Sequence, residues 1–561
     1  MIRKSLALSL ISLFVFSFAV FPQTKRTASL LLYNGKIFSA DENGTIYQAV
    51  VIDGDKIVAV GNTGQLREKY NAAREIDLKG KLVTPGFNDA HIHFVGVGLS
   101  LLRVDLNGSK TVEEAKQRIA AKIKELPKGA WVLGRGWDHT LWGNKLPTRA
   151  DLDAISPDNP VFVQRVDGHI SWSNSLAFKL ANVTKDSKAP VGGEIVFDKN
   201  GEPEGVLKET AQGLVGRIVP DPTPDEIRKG IELALVEAKK FGLTSVQGGS
   251  DYEAIPHYRR LLEEDKLTAR VAVWQNFETP LETLIKQRDD FKKLKVDHAR
   301  LKLGILKGYV DGTLGSRTAA MLAPFSDDPG NSGIPRMPEE KMIEMIVERK
   351  KARFQIGLHA IGDNANRIAL KGFSQADNTM GDRKQTYSSE RDRIEHSQII
   401  APSDFGRFRD LGIIASMQPT HAITDKRWAP DRLGEYRTLG AYAWHTFKSY
   451  GVHVAFGTDS PVEPLNTYLT LYAAVSRQDE AGDPAGGWQP QEKLSMEDAI
   501  RAYTYESAYA EFAEKDKGTI GVGKLADLVV HSKDLLTIPA AEILETRPVY
   551  TIFNGKIVFE N

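Results

Sequence analysis

Residues 81–94, KLVTPGFNDAHIHF, pass from an apolar run through a Pro-Gly break into two histidines one residue apart, His91 and His93. Seven more stretches follow the same plan, an apolar strand-like run that ends on a polar or turn-forming residue. They are GLTSVQGGS (242–250), ARVAVWQNF (269–277), ARLKLGILKGYVDG (299–312), RFQIGLHAIGD (353–363), RDRIEHSQII (391–400), GIIASMQPTH (412–421) and GVHVAFGTDS (451–460). Charged helix formers such as PEEKMIEMIVERKKA (338–352) separate the later runs. Eight strand-then-helix units predict an α/β chain folded as a (β/α)₈ barrel of parallel strands. The gap between the first two runs is too long for one crossover. It predicts an inserted subdomain at about 108–242, with Trp131, Trp137, Trp142 and Trp172 lying over the barrel mouth.

The two ends of the chain share a different style. LLYNGKIF (31–38) and AVVIDGDKIVAVG (49–61) read as short strands with Asn-Gly and Asp-Gly turns, as do KLADLVVHS (524–532) and YTIFNGKIVFEN (550–561). One small β-sandwich domain built from both ends (28–80 and 511–561) is expected, with the barrel (81–510) inserted between them. Arg3 and Lys4 ahead of an uncharged stretch from Ser5 to Phe21, then Ser17-Phe18-Ala19, predict a signal peptide over 1–19 and an exported, periplasmic or secreted protein. An uncleaved N-terminal membrane anchor is the alternative.

The chain has no cysteine and twelve histidines among 561 residues, so a tightly held metal must sit on nitrogen and oxygen ligands. Lys+Arg and Asp+Glu are each 73, which gives no support to a nucleic-acid or general anionic-membrane role. A small-molecule substrate is expected and, should the chain associate, a homodimer.

In a strand, His91 and His93 point to one side and can converge on one ion, or they form an ordinary half-buried pair. By the same two-residue period Leu301, Leu303, Ile305 and Lys307 share a face, placing a lysine inside the barrel. Burial there depresses an amine pKa, and a neutral lysine can take up carbon dioxide as a carbamate; a snorkelling or salt-bridged lysine is the plainer alternative. His359, His396 and Asp459 end the fifth, sixth and eighth runs. Singly each reads as a hydrogen-bonded core residue or a helix cap. Together, six such donors at the C-terminal ends of strands, where barrel enzymes carry their sites, favour a two-metal centre.

HIH, KGYVDGTLGSRTA, LHAIGD, RIEH and FGTDSP, in that order, resemble the motif set of the amidohydrolase superfamily. More narrowly they resemble its YtcJ-like branch, which includes N-substituted formamide deformylases. The resemblance implies that His91, His93 and Asp459 bind one metal, that His359 and His396 bind a second, and that N-carboxylated Lys307 bridges them, with zinc the natural ion. One departure is Gly308-Tyr309, where the family often has a bulkier residue followed by Phe. The implied activity is hydrolysis of a non-peptide C–N bond in an amide, formamide or cyclic amide, by a hydroxide bridging the metals. Asp459 would be general base and then acid, and His421 would polarise the carbonyl. Arg135, Trp137, Asp138, His169 and Arg317 are candidate substrate contacts, with an Asp311–Arg317 ion pair as the plainer reading of that loop. His257, His298, His445, His453 and His531 are assigned no role. Alternatives are an esterase, lactonase or dipeptidase using the same site, or a catalytically silent binding protein. A glycosidase would need paired carboxylates where this chain has histidines.

Overall fold

The computed structural model describes residues 25–165, 168, 170–190, 193–249, 251–380 and 390–561; the expected signal peptide and His169 lie outside the described residues. Eight parallel strands form one sheet in sequence order: β1 (Phe87–Ile92), β2 (Leu243–Gly248), β3 (Arg270–Asn276), β4 (Leu301–Tyr309), β5 (Ile356–Ala360), β6 (Arg393–His396), β7 (Ile414–Met417) and β8 (Val454–Phe456). Each corresponds to one of the eight runs. The first run splits, because Leu82–Pro85 joins the terminal β domain and only the part after Gly86 enters the barrel.

Between β1 and β8 no strand ladder forms, and the curl is closed by a few specific bonds. The Asp459 N–H donates to the His91 carbonyl at 2.7 Å, and the His93 N–H to the Ser460 carbonyl at 2.9 Å. Behind them the Asp89 carboxylate accepts from the Thr458 hydroxyl at 2.6 Å and from the His91 N–H at 3.1 Å. Gly457 is required at this seam, since a Cβ there would lie 2.5 Å from the His91 nitrogen.

The helices on the outside follow ordinary amphipathic rules. Pro224–Lys240 starts from a Thr223/Glu226 capping box with proline at its first turn, and buries Ile231, Ala234, Leu235 and Ala238, which follow an i, i+3, i+4, i+7 pattern. It packs on Phe94–Leu102 at a glycine contact, where a Cβ on Gly98 would come 2.0 Å from the Gly230 carbonyl oxygen.

One six-stranded sheet mixes both chain ends, in the order Lys556–Glu560, Pro548–Phe553, Leu528–His531, Leu82–Pro85, Lys36–Phe38, Ile46–Tyr47. A four-stranded sheet that includes Arg26–Tyr33 and Ala49–Asp53 accompanies it, and the two share a core containing Leu32, Val50, Val83 and Val530. The insertion holds its own six-stranded sheet, from Val104–Asp105 to Gly193–Phe197, and its own core around Trp137, Val163 and Trp172.

The strict alternation expected along β4 does not hold. Opposite Val273 to Gln275, β4 runs from Leu303 to Leu306, one residue more, so it carries a bulge. Leu301 and Leu303 pack into the main hydrophobic core, while Lys302 Nζ lies 2.7 Å from Glu511 Oε2. After the bulge Lys307 is on the inner face beside His91. The bulge therefore rescues the position of Lys307 although the phase of the earlier residues is reversed.

Candidate metal centre

Both imidazoles of the first run, at the end of β1, face Asp459 from the loop after β8. His93 Nε2 lies 3.1 Å and His91 Nε2 3.5 Å from Asp459 Oδ1. Their ligand atoms and that of Asp459 all lie within 4.8 Å of one another, and so do those of His396, His421 and Asp459. Two donor triads thus meet at one carboxylate. Asp459 and His396 adopt left-handed backbone (φ 57° and 73°), strain of the kind that concentrates at functional sites.

Acceptors behind three of the rings decide which nitrogen each of those imidazoles presents. His91 Nδ1 is 2.7 Å from Glu395 Oε2, an ion-pair distance at which the carboxylate favours a proton on Nδ1 and a free lone pair on Nε2. His396 Nδ1 donates to Gln418 Oε1 at 2.8 Å, which likewise frees Nε2. His359 is turned the other way: its Nε2 donates to the Gly312 carbonyl at 3.0 Å, leaving Nδ1 as its free lone pair. Its ring lines the same cavity, 4.5 Å from that of His396, but it stands outside the two triads, and His421 takes its place beside His396. His421 is carried on the helix Pro419–Asp425 rather than at the strand end. Burial pushes His91 down to about 4 and His359 to about 3, and His396 well below the usual imidazole range, so neutral nitrogen donors are available at pH 7.

Lys307 is buried, with Nζ 3.3 Å from His91 Nε2. Desolvation lowers its pKa to about 8, against the pull of Glu395 and Asp459. No carboxylate among the described residues comes within ion-pairing distance of it, so the salt-bridged alternative is not what the structure shows. Gly308, the departure from the family pattern, has a local reason, since a Cβ there would come 2.8 Å from Leu358 and 2.9 Å from Phe277.

Glu395 belongs to a connected row of buried polar groups. Arg393 Nε donates to Glu395 Oε1 at 2.6 Å, and Arg393 NH1 to Gln247 Oε1 at 2.8 Å. Gln247 donates to Asn88 at 3.2 Å and Asn88 to Glu511 at 2.9 Å, with Lys517 Nζ 2.6 Å from the same Glu511 oxygen. Burial alone would raise Glu395; Arg393, His91 and Lys307 outweigh it and hold the carboxylate ionised. Neither Glu395 nor Gln418 was selected from the sequence. The signal was present in RIEH, where an arginine and a glutamate two apart on a strand share a face.

The candidate substrate contacts fare differently. The cavity over the triads has a volume of about 420 Å³, and its described wall includes none of Arg135, Trp137, Asp138 or Arg317. Trp137 is fully buried in the insertion core, its indole donating to the Val163 carbonyl at 3.0 Å; it packs rather than lines. Asp138 is 2.7 Å from Arg165 in an ion pair. Arg317 is held by Asp327 through two bonds of 3.1 and 2.8 Å. The Asp311–Arg317 pair does not form, because Asp311 accepts from the N–H groups of Ala320, Ile361 and Gly362. The wall is made instead by residues such as Tyr309, Leu314, Gln398, Asp425, Trp428 and Glu463.

A parallel barrel with histidine and carboxylate triads at the C-terminal ends of its strands defines a metal-dependent hydrolase. The chain belongs to the amidohydrolase family, which matches residues 74–559. It is 30% identical to the putative amidohydrolase YtcJ of Bacillus subtilis (strain 168), over 94% of this chain and 99% of that protein. To the N-substituted formamide deformylase of Arthrobacter pascens it is 24% identical, over 95% and 98%. Among solved structures, an uncharacterized metal-dependent hydrolase from Pyrococcus horikoshii OT3 superimposes with a TM-score of 0.75 at 29% identity, covering 91% of this chain and 99% of that one.

Proposed function

We propose that this chain hydrolyses a non-peptide C–N bond in a small amide, N-substituted formamide or cyclic amide, with two divalent metal ions held at the barrel mouth. The observation that carries the reading is the convergence of His91, His93, Lys307, His359, His396 and Asp459 on one cavity, with Asp459 completing a triad with the first two histidines. The residues suit such ions: His359 Nδ1 and His396 Nε2 keep free lone pairs toward the cavity, and the buried Asp459 carboxylate lies 3.1 Å from His93 Nε2. His91, His93 and Asp459 would hold one ion and His359 and His396 the other, with Lys307, as its N-carboxylate, adding anionic oxygens that both share. A neutral-nitrogen and oxygen donor set suits zinc. Bound ions of this kind polarise a carbonyl and lower the pKa of water towards neutrality.

The chain's own groups do the rest. Asp459, kept ionised by the surrounding histidines against its burial, takes a proton and returns it to the leaving nitrogen. His421, with Nε2 3.6 Å from Asp459 Oδ2, is placed to donate to the substrate carbonyl oxygen. Glu395, Gln418 and the Gly312 carbonyl hold three imidazoles in the tautomers that the donors need. The activity in the name of the Arthrobacter pascens relative supports the formamide part of the reading.

Elemental analysis with a hydrolysis panel tests it. N-benzylformamide-type formamides and cyclic imides should turn over, chelation should abolish turnover, and zinc or manganese should restore it. A protein that binds no metal and ignores added zinc overturns the reading. Turnover of lactones alone favours the esterase alternative, and bound metal without any turnover favours a binding protein. Export belongs to the proposal, and N-terminal sequencing should find a mature chain starting at Val20.

A further inference from the structure

The cavity wall on the His421 side is rich in carboxylates. His421 and Asp425 lie four residues apart on the helix Pro419–Asp425, so they leave the same face, and both line the cavity. Asp425 Oδ2 accepts from the Tyr442 hydroxyl at 2.6 Å and from the Gln398 amide at 3.3 Å. Glu463, only 8% exposed, comes in from the loop after β8, and its Oε1 accepts from the Thr424 hydroxyl at 2.7 Å. Each carboxylate is thus anchored by one oxygen. The second oxygens, Asp425 Oδ1 and Glu463 Oε2, have no hydrogen-bond partner among the described residues.

His421 on the wall and Arg427 beside it act on both carboxylates, but no ion pair neutralises either among the described residues. The described wall has no arginine, and its one lysine is Lys307 among the histidines. Arg336 stacks on Tyr309, 5.3 Å from the ring centroid, and Arg427 lines a neighbouring cavity together with Glu463. Trp428 and Tyr309 add aromatic faces that already draw cations, Arg432 lying 5.5 Å from the Trp428 ring centroid and Lys307 5.1 Å from that of Tyr309. Burial pushes Asp425 up to about 6 and raises Glu463 too, a cost that a bound cation would relieve.

We infer that this wall is an ammonium subsite: the preferred substrate is an amide or formamide bearing a protonated amine away from the scissile bond. Substrates bearing a carboxylate there, such as dipeptides and N-acyl amino acids, are rejected. The inference rests on the reading above that the triads serve amide hydrolysis.

Three matched compounds test it on the metal-loaded protein: N-benzylformamide and its 4-aminomethyl and 4-carboxy derivatives. The aminomethyl compound should exceed the parent in kcat/KM by at least about tenfold, and the carboxy compound should fall below it by as much, as expected for complementary and like charges in a desolvated pocket. In Asp425→Asn and Glu463→Gln the ratio of aminomethyl to parent should collapse towards one. Equal kcat/KM for the three, or preference for the carboxylate, overturns the subsite and leaves the proposed hydrolysis standing. If none is hydrolysed, the proposed reaction fails. The dissociation constants of the same compounds, measured by calorimetry, then decide the subsite alone: tighter binding of the amine supports it, and equal binding or tighter binding of the carboxylate overturns it.

Discussion

The Glu395 carboxylate stands 2.7 Å from His91 Nδ1 and is itself gripped by Arg393 at 2.6 Å. An imidazole so held has one tautomer and one orientation, and its Nε2 is committed to the cavity. Replacing the anion by the isosteric amide in Glu395→Gln should weaken metal binding about 10- to 100-fold, the usual cost of losing a carboxylate behind a ligating histidine. Competition against a chromophoric chelator measures it. Unchanged affinity would mean that Glu395 serves only the packing of Arg393.

On the proposed reading, in which Lys307 is N-carboxylated, Lys307→Ala should abolish turnover, because the metal site would lose that anionic group. A short carboxylic acid in the medium should restore part of the activity by entering the vacated space. The check is kcat against acid concentration. Full metal content with wild-type turnover in the variant would remove Lys307 from the site.

A third expectation concerns acid stability away from the site. His531 is buried, with its ring nitrogens 2.9 Å from the hydroxyls of Thr84 and Tyr468, and burial lowers its pKa from 6.5 to about 3. Between those values the unfolded chain binds a proton that the folded chain refuses, so this group removes stability as pH falls from 6.5 towards 3 and has no effect above that window. A His531→Gln protein should therefore gain on the wild type by about 1.4 kcal/mol per pH unit across the window. Urea unfolding at pH 7, 6 and 5 reads the difference, and parallel pH profiles would contradict it.

Trp137 gives the fourth. It fills the core of the insertion, so Trp137→Ala should cost about 3–5 kcal/mol of that subdomain's stability. KM for the best substrate should stay as it was in protein that remains folded. A raised KM with an unchanged melting temperature would return Trp137 to the substrate pocket.

Much of the site was legible because a barrel converts sequence order into geometry. Apolar runs ending in His91, His93, Lys307, His359, His396 and Asp459 place all six at one mouth of the barrel. What escaped were features that periodicity does not encode. The bulge in β4 inverts Leu301 and Leu303 without leaving a turn signal, since Leu303-Gly304-Ile305 reads as plain strand. Asp425 and Glu463 sit on connections after β7 and β8, whose path is set by tertiary contacts such as the Thr424 hydroxyl bond. In the insertion, RGWDH looked chemical because tryptophan, arginine and aspartate are common at sites. The same residues also make a good core and its rim, and only packing separates the two uses.

The seam between β1 and β8 has a consequence for the order in which the molecule is made. Asp89 and Thr458, which close it, are 369 positions apart, and the two halves of the first donor triad sit on either side of it. A chain growing from its N-terminus presents His91 and His93 long before Asp459 exists, and ring closure over so long a loop comes late. The catalytic mouth is therefore a late product of folding, and no N-terminal fragment that stops short of β8 holds a complete set of donors.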